Sequence, residues 1–316
     1  TMSSGEQKRA LLHYLLNERP DYIILDNPFD NLDISFQENL KTILENHSKH
    51  ISFIQLASRK EDTLSFINHF GSIIENTFQV IESPLSAEIQ IPESFTTITV
   101  PQSGIDFINL PNMLINFKDV SISYGEKKIL NSINWTVNKG DFWQLSGTNG
   151  SGKSTILSMI FGDNPKAYGQ NIHLFGSKKG SGESVWDIKK KIGYYAPAMT
   201  YKFSGRHSIE NMLISGLNDS VGLYVKPTAF QQRIIKQWLA LLDLYDIKNT
   251  FFNTLSTGKQ RLVMTARAMV KQPPLLILDE PTAGMDDDSA ALLVALVNKF
   301  AKETNTAIIF VSHRKE

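Results

Sequence analysis

Nine consecutive residues, Gly147-Thr148-Asn149-Gly150-Ser151-Gly152-Lys153-Ser154-Thr155, fit the pattern G-x-x-x-x-G-K-[ST]. Glycines let the backbone curl until successive N–H groups point inward, a shape that cradles a polyphosphate. A helix opening at Lys153 adds about half a positive charge there. In such a cradle Lys153 bridges the β- and γ-phosphates and the Ser154 hydroxyl ligates Mg²⁺. Further along, four apolar residues end in two acids, Leu275-Leu276-Ile277-Leu278-Asp279-Glu280. At a strand end, Asp279 can hold the Mg²⁺ shell while Glu280 orients and deprotonates an attacking water. This chemistry is binding of a nucleoside triphosphate and hydrolysis of its terminal phosphate.

These residues need elements to position them. Residues 142–145 read as a strand leading into the glycine loop, with a helix from Lys153. Residues 275–278 and 307–311 are unbroken apolar runs, the pattern of strands buried on both faces of a parallel sheet. Apolar residues recur at helical spacing in 230–244 and 289–300, and 115–124 and 131–143 cluster like short strands. Strand alternating with helix gives an α/β core.

The chain also resembles itself. Ser3-Ser4-Gly5-Glu6-Gln7, Tyr22-Ile23-Ile24-Leu25-Asp26-Asn27-Pro28 and Leu32-Asp33 recur, at a constant offset of 253, as Ser256-Thr257-Gly258-Lys259-Gln260, Leu275-Leu276-Ile277-Leu278-Asp279-Glu280-Pro281 and Met285-Asp286. Residues 56–61 recur as 311–316, offset by 255. The chain therefore holds two copies of one module. The second carries about 140 residues of strand and loop ahead of its repeat, and the first begins almost at its repeat. The reading is an excerpt: residues 1–82 as the rear of a first module, 83–112, rich in Pro, Ser and Thr, as a linker, and 113–316 as a second module without its last elements.

Composition narrows the classes. Thirty-two Lys plus Arg balance 32 Asp plus Glu, so the surplus of positive charge typical of a nucleic-acid-coating protein is absent. The absence of cysteine excludes disulfides, thiolate nucleophiles and thiolate-bound metals, and suits a reducing cytoplasm. No apolar run reaches the roughly 18 residues of a membrane span, so in a transport role the pore would be another chain. Residues 1–10 lack the pattern of a signal peptide.

Taken in order, the phosphate loop, the Ser-Gly signature before a helix, the Leu-Asp-Glu-Pro strand end, Gly284-Met285-Asp286 and His313 resemble the ATP-binding cassette (ABC) ATPases. The resemblance covers nearly the whole chain. Residues 174–176, 180–183, 186–190 and 192–194 look like the duplicated soluble bacterial subgroup called molybdenum-transport or photorepair ATP-binding proteins. The resemblance implies a P-loop NTPase fold, with a RecA-like parallel sheet core and antiparallel β and α-helical subdomains. It implies two cassettes paired head to tail, with ATP between the phosphate loop of one and the signature of the other: Ser3, Ser4, Gly5 and Gln7 facing Gly147 to Thr155. Tyr124 matches the adenine-stacking aromatic, His313 the switch histidine at the γ-phosphate, and Asp286 the loop that communicates across the pair. ATP and Mg²⁺ are the implied ligands. A separate membrane permease is a candidate partner, with the chain in the cytoplasm or peripheral on the inner membrane face.

Departures from that pattern make the two copies unequal. Asn27 stands where the second copy has Glu280, and Ser58 where it has His313. Asparagine cannot accept a proton at neutral pH, so a site built on the first strand end should bind and not turn over. The second signature carries Thr257 and Lys259 in place of the usual glycine and glutamine. Pro197 stands where most cassettes carry a Mg²⁺-contacting glutamine. The Gly-rich residues 176–182 read as a solvated hairpin loop, and Trp186 with Lys189 to Lys191 as an exposed helix face. Three roles remain open for the hydrolysis: a transport motor, a mechanoenzyme on nucleic acid or ribosomes, or a nucleotide-gated clamp.

Overall fold

The structure is a computed structural model describing residues 4–30, 32–74, 76–84, 91–203 and 205–312. The chain forms two units, residues 1–90 with 283–291 and residues 91–282 with 292–316.

In the first unit, helix α1 (Ser4–Asn17) is followed by strand β1 (Tyr22–Asp26), helix α2 (Ile34–His47) and strand β2 (Ser52–Leu56). Asp33 starts α2: its backbone is extended and its carboxylate accepts from the Phe36 amide at 2.9 Å, satisfying one donor that every helix start leaves open. Strands β1 and β2 run parallel, from Tyr22 opposite Ser52 to Asp26 opposite Leu56. Ile23 and Leu25 point to the side where Leu16 of α1 and Leu40 and Leu44 of α2 pack. A hairpin of β3 (Phe70–Ile74) and β4 (Thr77–Ile81) follows.

The second unit opens with the short helix α3 (Ser94–Thr97), inside the stretch expected to be linker. Residues 91–112 pack onto this unit. Phe95 and Val100 are buried, Ser94 Oγ donates to Leu241 O at 2.8 Å, the Val100 amide to Glu303 Oε2 at 2.7 Å, and the Ser103 amide to Gln272 Oε1 at 3.2 Å. Composition hides such anchoring, because a few apolar side chains and backbone donors suffice for it.

Strands β5 (Met113–Tyr124) and β6 (Lys127–Asn138) pair antiparallel. The chain then turns through Gly140 (φ 77°) into β7 (Phe142–Leu145), the glycine loop and helix α4 (Lys153–Ile160). Residues 131–143 are thus two strands rather than one: Asp141 accepts from the Asn138 amide at 2.7 Å and fixes the reversal. Strands β8 (Ile172–Leu174) and β9 (Ser177–Lys178) complete an antiparallel sheet in the order β6-β5-β8-β9. Here the solvated-loop expectation is corrected at one residue. Lys179 is buried, with its ammonium 5.1 Å from the centroid of the Tyr168 ring. Helix α5 (Val185–Lys190), closed by a reciprocal Ser184–Asp187 cap, leaves Trp186 exposed as expected.

Strand β10 (Ile192–Tyr195) precedes a helical layer of α6 (Ile209–Leu217), α7 (Ala229–Leu241) and α8 (Thr257–Met269), whose core holds the fully buried Trp238. Strand β11 (Leu275–Asp279), helix α9 (Asp287–Glu303) and strand β12 (Ala307–Val311) finish a parallel sheet in the order β10-β11-β12-β7. A parallel core with antiparallel and helical layers is the fold class expected. No helix among the described residues is long and apolar enough to cross a membrane.

The internal repeat is a repeat of structure. β1 pairs with β2 in the same register as β11 with β12, position for position. Helices α1 and α8 start at equivalent residues, as do α2 and α9. Asp33 accepts from the Phe36 amide as Asp286 accepts from that of Ser289.

Candidate functional site

Strand β7 delivers the chain to the carboxyl edge of the parallel sheet. The glycine loop then reverses it into α4, which begins directly after Gly152 (φ 100°). Gly147 and Gly150 also have positive φ, 154° and 80°. A Cβ on Gly152 would lie 2.7 Å from Leu130 Cδ2 and 3.3 Å from Ile129 O, and one on Gly147 2.7 Å from Ser151 Oγ. All three positions favour glycine on conformational grounds, and at Gly152 the approach to the Ile129 carbonyl adds a steric one. The resulting turn places the loop at a helix N-terminus, a position that favours anions. Asn149, Gly150, Ser151 and Ser154 are exposed there and Thr155 is half-buried. Lys153 folds back over the loop, its Nζ donating to Gly147 O at 2.6 Å and Thr148 O at 3.2 Å. A cation that rests on carbonyls can exchange them for phosphate oxygens.

Helix α4 is held in place by Ile156, Leu157, Met159 and Ile160, which join Leu275 and Ile277 of β11 and Ile309 and Val311 of β12 in one core cluster. The register then sets the distance between the key groups. Asp279 lies opposite Val311, and Val311 opposite Leu145, so the acid and the residue two before Gly147 end one row across three strands. Two strand spacings separate them, about 10 Å, with a nucleotide's phosphates expected at this carboxyl edge.

Asp279 is half-buried. Tyr194 Oη, donating toward its Oδ2 at 3.5 Å, was not singled out from sequence. Burial, then the neighbouring Asp279 charge, pushes the Tyr194 phenol well above its usual range, so it is a neutral donor. Phe161 meets the ring edge-on with centroids 4.5 Å apart. Glu280 follows Asp279 in the left-handed region (φ 54°), its amide bonded to Val311 O at 2.9 Å. For a non-glycine residue this conformation is strained, and it turns the side chain out of the strand's alternation.

Tyr124, at the end of β5, is 47% exposed. Its hydroxyl accepts from Asn164 Nδ2 at 3.1 Å, and the same amide donates to Ser158 Oγ of α4 at 3.0 Å. The aromatic is thereby tied to the helix that carries the phosphate loop. Lys166 Nζ lies 5.1 Å from the ring centroid, a cation over the face expected to take adenine. Neither Asn164 nor Lys166 was singled out; the turn that places them has no motif of its own.

Ser3 and His313 lie outside the described residues. Ser4, Gly5 and Gln7 occupy the first turn of α1, with Gln7 exposed. At the second signature Ser256 caps α8, and Gln260, the counterpart of Gln7, donates to Phe252 O at 3.2 Å and Leu255 O at 3.1 Å. In the first copy Asn27 repeats the Glu280 backbone: φ is 41° and its amide bonds Leu56 O at 3.0 Å. Its side chain is used locally, Nδ2 donating to Asp26 Oδ1 at 3.2 Å and Oδ1 accepting from the Ser58 amide at 2.9 Å.

The donors suit Mg²⁺. Ser154 and Asp279 offer hard oxygens, and no group of three or more His, Cys, Asp or Glu side chains among the described residues could hold a metal alone. A cation here must complete its shell with phosphate oxygens and water, which is the preference of Mg²⁺.

Comparisons with known proteins agree with this geometry. Residues 130–283 match the family described as ABC transporter. The chain is 34% identical over 330 residues to the ABC transporter ATP-binding protein ModF of Escherichia coli (strain K12), covering all of this chain and 67% of that protein. It is 32% identical over 321 residues to an uncharacterized ABC transporter ATP-binding protein of Schizosaccharomyces pombe, covering 100% and 65%. The chain thus spans about two thirds of the length of these relatives. Among solved structures, CbiO1 from Clostridium perfringens, part of the ABC transporter complex CbiONQ, shares the fold with a TM-score of 0.55, at 22% identity over 65% of this chain and 80% of that one.

Proposed function

Since the chain belongs to the ABC transporter ATP-binding family, whose members bind ATP, we propose that it hydrolyses ATP at one competent composite site and holds it at a second, degenerate one. The observation that carries this reading is the row at the carboxyl edge of the parallel sheet: the phosphate loop, Asp279, and Glu280 strained out of the strand beside it. The loop amides and Lys153 bind the phosphates, and Tyr124 receives the base. Ser154 and Asp279 hold Mg²⁺, which when bound neutralises charge developing on the phosphates. Glu280 takes a proton from the attacking water, with His313 orienting the γ-phosphate. Ser3, Ser4, Gly5 and Gln7 complete this site in the paired state. In the degenerate site, Asn27 stands where the base would be.

The work done by the whole protein is proposed to be the driving of a separate permease, as its ATP-binding subunit. Relatives named as ABC transporter ATP-binding proteins and the zero net charge support this. The test is phosphate release and fluorescent-ATP binding by the purified chain with Mg²⁺. Lys153→Ala should lower release by roughly 10²–10³-fold and weaken binding. ATP binding without any release in the parent would leave a nucleotide-gated clamp.

A further inference from the structure

Asn164 uses every polar group of its side chain on the part of the site that faces the base. It is buried, in the turn between α4 and β8. Its Oδ1 accepts from the Lys166 amide at 3.0 Å, and a backbone N–H can only donate, so Nδ2 is the atom that meets two hydroxyls. Tyr124 Oη at 3.1 Å and Ser158 Oγ at 3.0 Å are therefore acceptors. Ser158 in turn donates its own proton to Thr155 O at 2.7 Å. A continuous chain of hydrogen bonds thus runs Tyr124–Asn164–Ser158–Thr155, from the exposed aromatic to the residue that ends the run Gly147 to Thr155. The Asn164 amide adds a bond to Ser158 O at 3.1 Å, so main chain as well as side chain joins this turn to α4.

Tyr124 needs such a hold. It ends β5 at the tip of a hairpin, opposite Lys127, and is 47% exposed. A half-exposed side chain gives up rotamer freedom when a ligand stacks on it, and that loss is subtracted from the affinity. A hydroxyl already fixed on a buried amide has given up that freedom in advance. We propose that Asn164 is a positioning residue of the nucleotide site: it holds the Tyr124 ring at a set distance from the phosphate loop, so that base and triphosphate are recognised together. The ligand class it selects is a nucleoside triphosphate over a triphosphate that carries no base. Lys166 belongs to the same arrangement, because its amide is held by Asn164 while its ammonium lies 5.1 Å from the ring centroid. The proposal rests on the reading of Tyr124 and Gly147 to Thr155 given above, and deepens it by naming what keeps the two ends of the nucleotide site in register.

Two variants cut the chain at different points. Asn164→Ala removes the link itself, and Tyr124→Phe keeps the ring and the buried amide but loses the hydroxyl between them. Calorimetry on the purified parent, both variants and their combination gives the Kd of MgATP and of magnesium tripolyphosphate, a probe without base or ribose. ATP should bind roughly two- to tenfold more weakly in each single variant, with tripolyphosphate unchanged. The combination should be no weaker than the weaker single variant, because both changes break one chain. Unchanged ATP affinity in both single variants would overturn the proposal. So would equal losses for the two probes, which reduce Asn164 to a support of the loop, and so would full additivity of the two losses. Tyr124→Phe carries the test even where Asn164→Ala lowers the melting temperature. Binding of neither probe by the parent would overturn the function on which the proposal rests, whereas the other outcomes bear on Asn164 alone.

Discussion

The strand ends Asp26-Asn27 and Asp279-Glu280 have nearly the same backbone: positive φ at the second residue, and an amide bonded to the last residue of the neighbouring parallel strand. Around that shared frame, the aspartate is retained and the residue after it differs, as does its setting. In the second copy the strand lies inside a four-stranded sheet beneath the phosphate-loop helix, and the strained position carries a carboxylate. In the first, β1 and β2 pair with each other among the described residues, and the strained position carries an amide whose oxygen accepts from the Ser58 amide. The left-handed turn is thus a property of the fold, retained where no base is present. In the proposed function, the side chain placed on it is what decides catalysis.

The comparison can be broken first at the sheet face. Ile277 of β11 is fully buried, so Ile277→Ala should cost about 2–5 kcal/mol in denaturant unfolding by emptying a packed site. Its counterpart in β1, Ile24, is exposed, and Ile24→Ala in residues 1–316 should stay within about 0.5 kcal/mol. Equal costs would mean that the two faces are equally covered. Gly152→Ala comes next, forcing a Cβ against Leu130 at a left-handed position. It should cost about 1–3 kcal/mol and weaken nucleotide binding, read by thermal melting with and without ATP. Melting without a shift would show that the loop relaxes freely. The smallest effect is expected at Tyr194→Phe, which keeps the ring against Phe161 and removes the donor to Asp279. The Mg²⁺ concentration for half-maximal retention of a fluorescent nucleotide should rise roughly two- to tenfold, the worth of one hydrogen bond. No shift would place the phenol outside the metal shell.

What could be read from the sequence follows from where each constraint is local. The phosphate loop demands glycines at fixed spacing, and the acids follow an apolar strand directly, so both were legible together with the repeat that relates Asn27 to Glu280. Lys166, Asn164 and Tyr194 were not, because their roles arise from contacts across the fold: a turn placed beside β5, and a neighbouring strand whose register brings a phenol to Asp279. The stretch read as a linker shows a further limit. Proline and serine describe the freedom of a chain, while Phe95, Val100 and the Glu303 carboxylate decide where it is held.

The asymmetry between the copies is tested most directly by phosphate release from Glu280→Gln and Asn27→Ala, measured side by side with bound nucleotide counted. Release should fall by roughly 10²–10⁴-fold in Glu280→Gln with ATP retained, and by less than about twofold in Asn27→Ala, a residue without a proton-accepting role. Equal losses in the two variants would contradict the account.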